Sequence, residues 1–342
     1  MSTMKQVAEM AQVSVATVSR VINDSGYVSP TLQTRVRTAM KQLRYQPSAL
    51  ARGLRKQETQ TIGVMLPQLN NPFFATLAFA IEKTLFRHQY HCFICSAEED
   101  RDKEDAYVQM MLRQRVDGVI VVPTGHSAQS IAQLLEGDIP VVFVDRDLPD
   151  LSASRVLADN RHGGELLVQH LLDLGHRHIA IISMPTYSEA VSQRLEGVTS
   201  ALQAASIPIR EPSFSTSLQQ FESGYQCAME MLQHSSRPSA IMALTDMLAI
   251  GVLHAAAQLG LQVPEDLSVT GFDDIPLAAQ VLPELTTAAQ PLYDMGETAA
   301  QVLLRHMRQP NAPLENIQLS TELKVRHSTS VPAACFRDKP LA

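Results

Sequence analysis

Along the first 45 residues the apolar positions recur at helical spacing. Met4, Val7, Ala8 and Ala11 follow the i, i+3, i+4, i+7 pattern of an amphipathic helix. Gln12-Val13 make a short turn, and Ser14 is placed to cap a second helix over about Val15 to Asn23. In that helix Val18, Val21 and Ile22 form the buried stripe, which leaves Val15, Ala16, Ser19 and Arg20 facing outward. A third helix starts at Ser29-Pro30, a cap residue followed by proline at the first helical position, and runs to about Leu43. Its core face is Val36, Met40 and Leu43. Two short helices joined by a tight turn and braced by a third predict a helix-turn-helix, whose second helix enters the major groove of DNA.

After the charged stretch Arg55-Lys56-Gln57-Glu58-Thr59-Gln60 the pattern changes to short apolar runs alternating with helical stretches. Ile62–Leu66, Cys92–Ile94, Gly118–Val122 and Val141–Val144 read as parallel strands, separated by amphipathic helices such as Ala75–Arg87 and Lys103–Gln114. A second series follows at Ile179–Ile182, Ala240–Ala243 and Leu267–Thr270. Two successive βαβ series predict an α/β chain with two doubly wound parallel sheets. A ligand is expected in the crevice beyond the carboxyl ends of the strands.

Composition sharpens this picture. Apolar residues are 45% of the 342 and charged residues 18%, enough apolar surface to bury large cores and too little charge for disorder or a coiled coil. No run approaches the ~18–20 apolar residues of a membrane span. The N-terminus enters its amphipathic pattern without the apolar core of a secretory signal, so a cytoplasmic protein is expected. Four scattered cysteines (Cys92, Cys95, Cys227, Cys335) make no disulfide framework. The net charge of −7 conceals an asymmetry. Residues 1–60 hold nine basic side chains against three acidic ones, a net of +6, leaving −13 on the remainder. A small basic unit on an acidic body suits a polyanion partner for the first unit only.

The stretch Val7-Ala8 … Val13-Ser14-Val15-Ala16-Thr17-Val18-Ser19-Arg20-Val21-Ile22-Asn23 resembles the signature of the lactose-repressor/galactose-repressor (LacI/GalR) family. Tyr45-Gln46-Pro47-Ser48-Ala49-Leu50-Ala51-Arg52-Gly53-Leu54 is similar to that family's hinge. The resemblance implies a headpiece over 1–47, a hinge helix and linker over 48–60, an effector-binding and dimerisation domain over 61–330 and a short tail over 331–342. It further implies three chain crossings between two subdomains, placed near Asp159–Arg161, Gln290–Leu292 and Leu319–Lys324. The first subdomain would then comprise about 61–160 plus 292–320, and the second about 161–290 plus 321–330.

Arg20 has the fork that matches guanine O6 and N7, whereas Val15 and Ala16 can make only apolar contacts, for instance with a thymine methyl. The resemblance carries base reading to these three. Thr17, Ser19, Ser29 and Thr31 suit phosphate contacts that set register. Ser48 to Arg55 is too short for a stable isolated helix, and Gly53 lowers its helicity further. By resemblance it folds when two copies meet in the operator minor groove, with Ala51 and Leu54 in contact with DNA and Leu54 as the apolar wedge that kinks the duplex.

Polar and aromatic residues gather where the strands of the body end: Asn71, Phe73 and Phe74, Asp145 and Arg146, Arg194, Phe221, Thr245, Asp273 and Gln290. Two aromatics for the apolar faces of a ring, with carboxylates, guanidinium groups and amides around its edge, are what a neutral polyol needs. The set is similar to the ribose-binding members of the periplasmic sugar-receptor superfamily, with one departure. Thr245 stands where asparagine is usual and offers one hydroxyl in place of an amide. A sugar acid, another sugar or a nucleobase, as inducer or corepressor, is the alternative effector.

Enzyme-like signals are weak. Cys92 and Cys95, three apart on a strand, point to opposite faces. His176-Arg177-His178 has no second ligand pair at metal-site spacing, and no G-x-S-x-G, P-loop, dinucleotide fingerprint or H-E-x-x-H is present. The expectation is a cytoplasmic, homodimeric, sequence-specific transcriptional repressor of a palindromic operator, controlled by a small sugar. No catalytic residue, metal, cofactor or membrane contact is expected. A sugar receptor that does not bind DNA and an enzyme on a doubly wound fold are the rival classes.

Overall fold

The computed structural model describes residues 3–23, 25–45, 58–124, 128–184, 188–208, 213–214, 220–234 and 236–333. They form two compact units, Met1–Gln60 and Thr61–Ala342.

Among the described residues the first unit has three helices: α1 (Met4–Ala11), α2 (Val15–Asn23) and α3 (Pro30–Gln42). Thr3 and Gln6 close a capping box at the start of α1, and Gln12 ends it in the left-handed region at φ 49°. Arg35 on α3 reaches back to donate to the Ala11 carbonyl at 2.6 Å, satisfying one of the acceptors the helix end leaves free. Val7, Ala8, Ala11, Val18, Val36 and Ala39 make the core. Full burial of a valine such as Val18 stabilises by roughly 1.5–3 kcal/mol. Three expectations are corrected here. Ser19 is buried, because it lies next to Val18 under the packed face, and its hydroxyl and carbonyl oxygens accept hydrogen bonds from Asn23 Nδ2. Val21 and Ile22 are only half-buried. Ser29 precedes α3 without a side-chain cap; its backbone carbonyl accepts from Gln33.

The second unit carries two six-stranded sheets. The first has order β11-β5-β4-β3-β1-β2, from β1 (Thr61–Leu66), β2 (His91–Ser96), β3 (Gly118–Val121), β4 (Val141–Val144), β5 (Ser154–Ala158) and β11 (Asn316–Leu319). The second has order β12-β10-β9-β8-β6-β7, from β6 (Ile179–Ser183), β7 (Ser213–Phe214), β8 (Ala240–Ala243), β9 (Ser268–Asp273), β10 (Thr286–Ala289) and β12 (Glu322–Lys324). All pairings are parallel except β10 with β12. Strands buried on both faces read as continuous apolar runs, as β1, β3, β4 and β6 do.

Helices cover both faces of each sheet. On the first sheet α4 (Pro72–Arg87) and α11 (Leu292–Arg308) close one side, and α5 (Arg101–Gln114) and α6 (Ala128–Glu136) the other. On the second, α9 (Gln220–Gln233) and α10 (Asp246–Gln258) lie on one side, and α7 (Asn160–Asp173) and α8 (Glu189–Ala204) on the other. The chain passes between the sheets after β5, between β10 and α11, and between β11 and β12. Neither half of the sequence therefore folds as one layer stack.

Strand Cys residues and the buried histidine pack as structural groups. Cys92 and Cys95 face different core clusters on the two sides of the first sheet, and burial pushes their thiols up to about 12 and about 11. His176 is buried between Ser239, Ser268 and the Ser330 carbonyl, which ties residue 330 to the second sheet.

Candidate functional site

Each sheet shows its switch point at the same place, between its first and third strands in chain order: β1 and β3 in one, β6 and β8 in the other. Loops leaving neighbouring strands diverge there, which opens a crevice. A cavity of about 50 Å³ lies between the strand ends of the two sheets. That is space for a few waters at roughly 10–15 Å³ each, a content one small ring would displace.

The first sheet contributes Pro67, Gln68, Asn71, Phe73, Phe74, Glu99, Asp145 and Arg146, and the second contributes Met184, Ser188, Ala190, Val191, Arg194, Gln220, Thr245 and Asp273. Eight of the ten residues singled out in the sequence thus line one cavity. Asn71 caps α4, its Oδ1 accepting the Phe73 N–H at 3.0 Å. Phe73 and Phe74 enter on the first turn of that helix and meet edge-to-face at 5.0 Å. Arg146 lies 5.7 Å from the Phe74 ring centroid and pairs with Glu99 at 2.8 Å.

Arg194 is the best-anchored group. Its Nε donates to Asn160 Oδ1 at 2.8 Å, its Nη1 donates to the Leu244 carbonyl at 2.8 Å, and the guanidinium stacks 4.0 Å from the Phe272 ring centroid. Asp273 ends β9 at φ 119° and Asp145 follows β4 at φ 67°, both in the region that disfavours side chains. Burial raises the Asp273 carboxyl to about 6; Arg194 opposes the rise and Asp145 adds to it. The Asp145 carboxyl is also pushed up, by burial first, against the pull of Arg146. Asp246, wholly buried and held by the Thr287 hydroxyl and the Ile275 N–H, is raised well above its ordinary value by burial and by the Asp273 charge.

Two expected residues take other places. Gln290 is absent from the cavity lining and sits behind it, donating from Nε2 to Asp273 Oδ1 at 2.8 Å. Phe221 packs against His254, centroids 5.7 Å apart, and does not line the cavity; its neighbour Gln220 does. The cavity therefore has aromatic cover from α4 alone among the described residues, with Met184, Ala190 and Val191 opposite. Glu99, Gln68, Ser188 and Gln220 were not anticipated. Glu99, Ser188 and Gln220 are polar residues beside helix starts and Gln68 lies in the loop after β1, places that ordinary caps and turns also occupy.

Three polar atoms around the site are buried without a partner among the described residues: Asp145 Oδ1, Ser188 Oγ and Gln290 Oε1. Buried polar groups are nearly always bonded, so such a cluster marks where a ligand completes the network. Among the described residues no group of three or more His, Cys, Asp or Glu is placed to hold a metal ion. No helix of the described residues is long and apolar enough to cross a membrane.

In the first unit Val15, Ala16 and Arg20 are exposed together on α2, and Thr31 is exposed on the first turn of α3. Val15 leaves 45% of its surface open. Ser14 Oγ accepts the Thr17 N–H at 3.1 Å, which caps α2, and shares a 2.9 Å hydrogen bond with the Thr17 hydroxyl. Ala51 and Leu54 lie outside the described residues.

A helix-turn-helix unit followed by a two-sheet body with a ligand cleft defines a DNA-binding regulator of transcription. Residues 3–48 match the lacI family of bacterial regulatory proteins, and residues 168–329 match the periplasmic binding protein-like domain. The ribose operon repressor of Escherichia coli K12 is 35% identical over 330 residues, covering 96% of this chain and 100% of the relative. This chain belongs to the LacI family. Its fold is similar to that of a lac repressor dimer crystallised with operator and an anti-inducer (TM-score 0.85, 28% identity, 96% of this chain and 99% of that one). It is also similar to a LacI family regulator from Enterococcus faecium with bound ribose (TM-score 0.73, 33% identity, 79% and 99%).

Proposed function

We propose that this protein is a cytoplasmic repressor of a carbohydrate-utilisation operon, binding a palindromic operator as a homodimer and released from it by a small neutral sugar, with a ribose-like monosaccharide favoured. The observation that carries the effector assignment is the charge balance of the cavity. Its two guanidinium groups are both engaged, Arg146 with Glu99 at 2.8 Å and with Asp145 at 3.7 Å, and Arg194 with Asp273 at 3.0 Å. An anionic sugar acid or phosphate finds no unpaired cation there. A neutral polyol can donate hydroxyl protons to Asp145 Oδ1 and Ser188 Oγ, both on residues that line the cavity. The relatives named for the ribose operon and the ribose-bound structure support the same reading.

In this reading Asn71, Phe73, Phe74, Asp145, Arg146, Arg194 and Asp273 contact the sugar, Gln290 acts beside Asp273, and Thr245 lines the cavity with its hydroxyl proton given to Gln220. Val15, Ala16 and Arg20 read bases, while Thr17, Ser29 and Thr31 contact phosphates. Ala51 and Leu54 belong to the hinge, and Leu54 is the wedge in the minor groove. Dimer symmetry mirrors operator symmetry, and sugar and operator oppose each other by one reciprocal factor. The relatives are regulators of transcription, which supports a binding role without turnover.

The test is a thermal-unfolding scan against D-ribose, other pentoses, hexoses, sugar acids and purines. A ligand at 100 times its Kd adds about 2.7 kcal/mol. A shift with ribose or a close relative is expected, together with weaker operator binding in its presence. A shift confined to sugar acids or purines overturns the effector assignment, and tighter operator binding with sugar overturns release.

A further inference from the structure

Thr245 precedes α10 and has its hydroxyl proton engaged. Oγ1 accepts the Leu248 N–H at 3.3 Å, capping the helix, and donates its proton to Gln220 Oε1 at 2.8 Å. A threonine hydroxyl has one hydrogen to give. Thr245, only 6% exposed, therefore presents the cavity with no donor of its own.

Gln220 opens α9 and lines the same cavity. With Oε1 turned to Thr245, the plane of its carboxamide is set. Its Nε2 has no hydrogen-bond partner among the described residues, and the residue lines the cavity wall. One residue on, Phe221 lies against His254. Successive helical positions differ by about 100°. The first turn of α9 thus turns a carboxamide to the cleft and an aromatic ring away from it.

We propose that Gln220 is a specificity-determining residue for the effector, donating through Nε2 to a hydroxyl or ring oxygen of the sugar, and that Thr245 is a positioning residue that orients it. The proposal rests on the sugar-binding reading above and adds what this wall demands of the ligand, an oxygen acceptor. A sugar whose hydroxyl points at Gln220 completes the amide. Its epimer leaves an N–H desolvated and unpaired, and a site built on a polar partner rejects such a ligand.

The experiment is isothermal titration calorimetry on the full chain with D-ribose, its epimers D-arabinose and D-xylose, and the diastereomer D-lyxose. Gln220→Ala is expected to weaken the preferred pentose by about tenfold, the size of one lost hydrogen bond, and to shrink the preference over its epimer by a similar factor. Thr245→Val should do the same, the double variant should lose no more than either single one, and Thr245→Ser should restore binding. A purely structural Thr245 would lower the unfolding midpoint and leave the epimer ratio untouched. If wild type binds a pentose and Gln220→Ala keeps both affinity and epimer ratio, this proposal fails and the sugar reading stands. If wild type binds none of the four, both fail.

Discussion

Arg194 Nη1 stands 3.0 Å from Asp273 Oδ1, and the same oxygen accepts Gln290 Nε2 at 2.8 Å. Both partners of this ion pair are almost wholly out of water. One arginine thereby joins the end of β9 to Asn160 at the start of α7 and to the Leu244 carbonyl after β8. Taking one member from a buried pair leaves a bare charge, which costs about 3–5 kcal/mol. Arg194→Ala should lower the stability of the second unit by that amount in urea unfolding. Arg194→Lys keeps the charge without the fork, so it should recover only part of the loss. Equal midpoints for wild type and Arg194→Ala would show that the pair contributes nothing net.

Asp273 makes stability depend on pH in a definite direction. Burial raises its carboxyl to about 6, so the folded chain holds this proton more tightly than the unfolded one. The stabilisation is full below the ordinary carboxylate range and is lost as pH rises through about 6. Without sugar, the unfolding midpoint of wild type measured against that of Asp273→Asn should therefore fall as pH rises from 4 through 6 to 7.5. Sugar hydroxyls donate to the ionised carboxylate, so wild-type sugar affinity should rise between pH 5 and 7. A midpoint difference constant with pH would place Asp273 in its ionised form throughout.

The parts of this fold visible in the sequence are those where burial imposes an apolar run. β1, β3, β4 and β6 lie inside sheets covered on both faces, and their residues are nearly all aliphatic. β10 is buried just as completely but reads Thr286-Thr287-Ala288-Ala289, because its hydroxyls are used: Thr287 bonds Asp246, and Thr286 bonds the Arg326 N–H. Small polar residues satisfied by tertiary partners carry no hydrophobic signal. Edge strands β11 and β12 are missed because half of each faces water. In the cleft, Asn71, Asp145 and Thr245 were legible since they follow recognisable strands. Phe221 was misplaced because the facing of a residue depends on where its helix begins, and a one-residue difference turns it by about 100°. Glu99 sits in the acidic run Glu98-Glu99-Asp100, where nothing local marks one carboxylate as turned inward to Arg146.

In the first unit, Arg20 and the apolar pair beside it should act on sequence discrimination. Arg20→Ala is expected to cost about 1–3 kcal/mol on the operator, with little change on unrelated duplex. Its log–log salt slope should stay within about one unit of wild type. Fluorescence anisotropy at several salt concentrations separates the outcomes. Equal losses on operator and random DNA would make Arg20 a phosphate contact. Leu54→Ala should reduce operator bending as well as affinity, and unchanged bending would remove it from the wedge role.

Gly197 on α8 and Gly164 on α7 let the two helices approach backbone to backbone. A Cβ on Gly197 would stand 2.1 Å from the Arg161 carbonyl oxygen, and one on Gly164 would stand 2.4 Å from that of Arg194. Main-chain atoms cannot rotate aside, so even alanine must push the helices apart. That movement would draw Arg194 on α8 away from Asn160 on α7, now 2.8 Å from it. Overpacking of this kind costs about 1–3 kcal/mol. Gly197→Ala should therefore lower the unfolding midpoint and weaken sugar binding together, although residue 197 does not line the cavity. Loss of stability with unaltered sugar affinity would show that the Arg194 guanidinium keeps its place without help from the helix contact. The cleft would then be set by the β9 and β8 partners of Arg194 alone.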